Sequence, residues 1–200
     1  MKSMISDIGR FVFFSMYFFM ISLYFYSSPP SVLAICILFS ALHEFAHIAV
    51  AKLLRRRTSA FHLSFFGLHP DLSEGTRASC IAVFAAGPAI NLISLFICAY
   101  FLKISRSDHL LISFSVNILT FIFNLIPLPF SDGDGMLRAI VGAHPSYPRR
   151  NRLCATLNLI SSLLVFSFFS YRFLFLSKGL FSFFCSFVFL IVSVNRLLGE

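Results

Sequence analysis

The sequence predicts an all-α polytopic membrane protein, with about six transmembrane helices and a short membrane-associated β-hairpin near 58–68. Three observations carry this. First, 58% of the 200 residues are hydrophobic, 28 of them phenylalanine, and only 12% are charged. That charged fraction is about half the usual share of a soluble domain. With a mean hydropathy of +0.87, a soluble fold of this length has no way to hide its apolar surface. Second, the apolar residues gather into six runs, each near the ~20 residues that a spanning helix requires. Third, the basic residues divide unevenly between the two ends of those runs.

The first run, about 11–27, follows Lys2 and Arg10 as a signal peptide does, but SSPP comes next rather than a small-residue cleavage site, so it reads as a retained helix. The second, about 31–54, contains ALHEFAHIAV. The third, about 78–102, contains AAGPAINL, and the fourth, about 109–127, ends in NLIP. The fifth and sixth cover about 153–171 and 174–195. With the amino terminus in the cytoplasm, twelve of the sixteen Lys and Arg residues fall on the inner side, and only Lys103, Arg106, Arg172 and Lys178 on the outer. This split places both termini inside and supports an even number of spans. The net charge of +8 is thereby read as topological. Arg55, Arg56 and Arg57 anchor the second helix at anionic lipid head groups, and no nucleic-acid partner is implied.

Two inner connections exceed a tight turn. In 55–77, Phe61, Leu63 and Phe65 alternate with His62 and Ser64, the pattern of a short strand or hairpin. The other, 128–152, is rich in Gly, Pro and Arg and reads as irregular. There is no internal repeat and no second soluble domain, so residues 1–200 read as one membrane-embedded domain. The five cysteines, at 36, 80, 98, 154 and 185, form no C-x-x-C and read as buried, inert thiols.

The chemistry lies in the second run. An ionisable group at mid-bilayer costs about 2.5–3.5 kcal/mol on insertion scales, yet His43, Glu44 and His47 occur there together as H-E-x-x-H. On a helix, residues 43 and 47 share a face, so both imidazoles can reach one metal ion, while Glu44 can reach a water beside it as a general base. A catalytic zinc site needs a third protein ligand. NLIPLPFSDGDG, 124–135, offers one: Pro127 and Pro129 end the fourth helix, Gly133 and Gly135 permit close backbone approach, and Asp132 or Asp134 can reach the metal.

With HEFAH at 43–47, AAGPAINL at 85–92 and NLIPLPFSDGDG at 124–135, the chain resembles the site-2 proteases, a family of intramembrane zinc metalloproteases, over roughly residues 10–140. The resemblance implies one Zn²⁺ per chain held by His43, His47 and Asp132, with Glu44 as catalytic base. It implies that Asn124 and Pro127 hold substrate or shape the cleft, and that Gly87, Pro88 and Asn91 allow close helix packing beside the site. The hairpin resembles the family's membrane-embedded strands, which offer an edge to an unwound substrate segment. The implied substrate is a membrane or membrane-associated protein cut in or near its spanning segment. The implied setting is a bacterial cell membrane, with the site towards the cytoplasm. Compactness is closest to the sporulation-type branch. Ser131 and Asp134 depart from the family's usual Leu-Asp-Gly-Gly, which leaves open whether Asp134 assists Asp132, replaces it or is solvated. The rival reading is a non-catalytic metal-binding membrane protein or a metal transporter. A transporter normally places polar residues on several helices, whereas the fifth and sixth runs are almost purely apolar.

Overall fold

The computed structural model describes residues 29–55, 61–64, 67–70, 76–142, 147–176 and 179–199, with the backbone alone for the two segments between 61 and 70. In chain order the elements are α1 (Pro30–Leu53), β1 (Phe61–Ser64), β2 (Gly67–Pro70), α2 (Arg77–Ile104), α3 (Asp108–Leu125), α4 (Asp132–Val141), α5 (Pro148–Leu176) and α6 (Leu180–Gly199).

Five of these helices, α1, α2, α3, α5 and α6, are long and apolar enough to cross a membrane, which is compatible with an integral multi-pass protein. The sequence predicts six; the remaining one, at 11–27, lies outside the described residues. The surface fits a lipid environment. Of α1, only His43, His47 and Ala51 are buried, while Ile37, Leu38 and Phe45 stand outward, Phe45 with 65% of its surface exposed. In water such a face would be an aggregation surface.

Local chemistry explains the helix ends. Pro30 occupies the first turn of α1, where a missing N–H costs nothing. Thr76 caps α2 by accepting a hydrogen bond from the Ser79 amide at 3.2 Å. Pro127 holds Ile126 extended (ψ 130°) and so stops α3. The fifth and sixth boundaries move from those expected. α5 begins at Pro148 and runs through Arg172 to Leu176, and α6 begins only at Leu180. Charged residues mark where a helix leaves the bilayer, and long basic side chains reach head groups from inside a continuing helix, so Arg149, Arg150, Arg152 and Arg172 are helical.

The connection 128–152, expected to be irregular, contains α4. Ser131 explains why. Its hydroxyl accepts from the Asp134 amide at 3.2 Å as an N-cap, and also from the Leu128 amide at 3.1 Å. Asp132 and Asp134 fall in the first turn, where the helix dipole favours acids. Gly142, at φ 68°, closes the helix in the left-handed conformation. In the sequence, the signal for this helix is Ser-x-x-Asp before an apolar run.

β1 and β2 pair antiparallel, with Phe61 opposite Pro70 and Ser64 opposite Gly67. The turn between them and the residues leading in from 56 lie outside the described residues, so a membrane-associated hairpin stays an expectation. α2 is the central helix, packing against α1, α3 and α4, whereas the α5–α6 pair meets the rest chiefly through α4. No disulfide joins the five cysteines; Cys80, Cys98 and Cys154 are buried, Cys36 and Cys185 half-buried.

Candidate metal centre

The buried face of α1 presents residues 43, 47 and 51, one position per turn. The face it meets on α2 is built to receive two imidazoles. A Cβ at Gly87 would lie 2.6 Å from His43 Nε2 and 2.5 Å from His43 Cε1, and would strike the His47 ring as well. Gly87 is therefore the floor of a cradle, and only glycine fits. α4 supplies the third wall. A Cβ at Gly133 would come within 2.6 Å of the Leu125 carbonyl and 2.8 Å of the Ile126 carbonyl, so its absence lets α4 begin against the end of α3. Asp132 then projects into the cradle.

His43, His47 and Asp132 are all buried and could hold a metal ion: their ligand atoms all lie within 4.8 Å of one another. His43 Nε2 and His47 Nε2 are 3.2 Å apart. His43 Nε2 is 3.1 Å from Asp132 Oδ2, and His47 Nε2 is 3.3 Å from Asp132 Oδ1. Donors at about 2.0–2.1 Å from a tetrahedral ion sit about 3.3 Å from one another; the two imidazoles approach different oxygens of Asp132, and with one donor atom from each residue the three lie within 4.8 Å, close enough to share one ion. Despite its nearness to His43, Asp132 Oδ2 makes no hydrogen bond. Burial works to raise the Asp132 carboxyl, but its contacts with His43 and His47 outweigh this and hold it below the usual carboxylate range.

The outer nitrogens of both rings are held. His47 Nδ1 lies 2.7 Å from the Val83 carbonyl. A carbonyl only accepts, so the proton sits on Nδ1 and the lone pair of Nε2 faces the centre. His43 Nδ1 faces the Asn91 amide nitrogen at 2.9 Å. Turned over, the same amide accepts from Nδ1–H and frees the Nε2 lone pair of His43 as well. Asn91 is 1% exposed, so it has no alternative partner in water. Asn91→Leu is expected to weaken metal retention by about 10–100-fold, with Asn91→Asp retaining it, because an acceptor beside a ligating histidine raises its basicity. Titration against a chelating dye checks this.

Each residue singled out from the sequence can now be placed. His43, His47 and Asp132 come together. Glu44 is half-buried on the adjoining face of α1, within electrostatic reach of His47. Gly87 and Asn91 touch the imidazoles directly, closer than a packing role alone implies. Pro88 is buried inside α2, where it withdraws one intrahelical donor. Asn124 in the last turn of α3 and Pro127 beyond it are half-buried.

Asp134 is buried and stands outside the His43–His47–Asp132 group. Its carboxylate turns away from the centre and accepts from Arg138 Nε at 2.9 Å, Asn158 Nδ2 at 3.0 Å and Arg196 Nη1 at 2.6 Å. Sequence reasoning does not bring Asn158 and Arg196 to this position. The signal for Asn158 is an amide in an otherwise apolar span. Arg196 has none, since it reads as an ordinary inner-side charge.

No protein-family model matches the chain, and no curated protein is significantly similar to it.

Proposed function

We propose that the chain is an intramembrane zinc endopeptidase of the site-2 protease kind. It hydrolyses a peptide bond in or near a transmembrane or membrane-associated segment of a protein substrate. The observation that carries this reading is the convergence of His43 and His47 from α1 with Asp132 from α4, their ligand atoms within 4.8 Å of one another, beside Glu44 on a helix whose other faces are apolar. Two imidazoles and a carboxylate are a donor set suited to zinc, and three protein ligands leave a fourth position for chemistry.

When bound, zinc lowers the pKa of a water and polarises a peptide carbonyl. The chain's own residues do the rest. Glu44 takes the proton of the attacking water and delivers it to the leaving amine nitrogen. The Val83 carbonyl and Asn91 hold the imidazoles in the orientation that directs Nε2 inward. The cradle of α1, α2 and α4 keeps bulk water from the ligands. A substrate helix must unwind to expose its scissile carbonyl, and the open edge of the β1–β2 pair can satisfy the freed backbone groups. His43 and His47 lie past the middle of α1, and Asp132 just beyond α3. With both termini cytoplasmic, this orients the site to the cytoplasmic face, in a bacterial cell membrane.

Glu44→Gln tests the proposal. Co-expressed with a panel of single-span proteins, the wild type yields a cleavage product and Glu44→Gln yields none, a rate loss of at least about 100-fold. Both purified proteins carry zinc. A wild type devoid of zinc after metal-replete purification sinks the mechanism.

A further inference from the structure

Asp134 has no place in the proposed chemistry, yet it is 5% exposed and sits at the junction of three helices. Arg138 reaches it from its own helix, Asn158 from α5 and Arg196 from the last turn of α6. Arg196 does more than pair with it. Its guanidinium lies over the Phe130 ring, 5.0 Å from the centroid, and Phe130 holds φ at 72°, a conformation that side-chain-bearing residues adopt only when their surroundings impose it. Arg196 therefore contacts residues 130 and 134, the two that bracket Asp132 at a distance of two residues each. Between them stands Ser131, whose hydroxyl caps α4 and ties the loop to Leu128.

An ion pair drawn largely out of water, as Arg196–Asp134 is with the arginine 25% exposed, is a weak source of stability, because its desolvation offsets its attraction; its better-attested use is to fix register. The register fixed here is that of the first turn of α4. The α5–α6 pair has few other attachments to the helices that form the cradle, so this cluster is where α6 acts on them.

We infer that Arg196 is a positioning residue for the metal centre: by gripping Phe130 and Asp134 it holds Asp132 at coordinating distance, making the C-terminal helix part of the site. The inference rests on the metal-centre reading above.

The test uses the full chain loaded with Co²⁺, whose visible absorption reports tetrahedral geometry, together with zinc affinity from chelator competition and thermal unfolding without metal. Arg196→Met is expected to weaken both metals by about 10–100-fold and to shift the cobalt bands, as loss of an outer partner does. Arg196→Lys, which keeps the charge but not the flat stacking surface, is expected to fall between Arg196→Met and the wild type. A merely structural role would lower the unfolding temperature and leave the cobalt spectrum unmoved. A folded Arg196→Met protein with wild-type affinity and spectrum overturns the inference. If that variant does not fold, Arg196→Gln is judged by the same two readings. A wild type that takes up neither cobalt nor zinc overturns the metal centre itself, and the positioning role with it.

Discussion

Gly87→Val is expected to empty the metal centre while leaving a helical membrane protein. Zinc content should fall from about one per chain to below about 0.1, because two of the three ligands a zinc site needs are displaced together. The reason is steric. Even a Cβ at this position lies 2.6 Å from His43 Nε2, and the two further methyls of valine occupy the volume of the imidazoles. Either both rings rotate out of the cradle or α1 and α2 separate. Overpacking of this kind costs about 1–3 kcal/mol of stability, a modest loss beside the loss of the metal. Circular dichroism and elemental analysis of the purified variant check the two halves of the prediction. Retention of zinc at the wild-type level would mean that the rings do not lie against α2.

The second large effect separates two neighbouring acids. Asp132→Asn is expected to reduce metal affinity by about a thousandfold or more, beyond the 10–100-fold of an outer partner, because a neutral amide replaces an anionic ligand. Asp134→Asn should cost less in affinity and more in folding. It leaves the part-buried Arg138 and Arg196 facing a neutral group, a loss below the about 3–5 kcal/mol of breaking a fully buried pair because both guanidiniums keep some contact with solvent. The opposite ranking of the two variants in zinc affinity would assign Asp134 as the ligand. The sequence leaves these residues equivalent until a resemblance favours the first. The fold distinguishes them by helix geometry. Positions 132 and 134 are the first and third residues of α4, about 200° apart around the axis, so one faces α1 and the other faces α5 and α6.

Much of the site is legible in the chain's local patterns. The i, i+4 spacing of His43 and His47 is a local property that any helix converts into a shared face, and their expense in an apolar span is what singles them out as site candidates. Asn91 and Gly87 are legible as motif residues, but not in their roles. Nothing local to AAGPAINL says that a ring nitrogen 48 positions away requires a partner, or that Gly87 is a floor rather than a helix-packing contact. α4 is hidden by its own composition, since two glycines and two prolines nearby outweigh the Ser131 cap in a sequence reading.

By itself, the sequence determined the many-helix, apolar class compatible with a membrane protein, the approximate position of each described apolar helix and the pair of histidines on one face. Hydropathy and helical period are sums over neighbouring residues and need no knowledge of the fold. Only the tertiary structure decided which aspartate joins the histidines, what holds each imidazole, and that Arg196 meets Asp134 across 62 positions. Those outcomes depend on how α1, α2, α4 and α6 pack, and the contact between two residues distant in the chain leaves no imprint on the residues around either one.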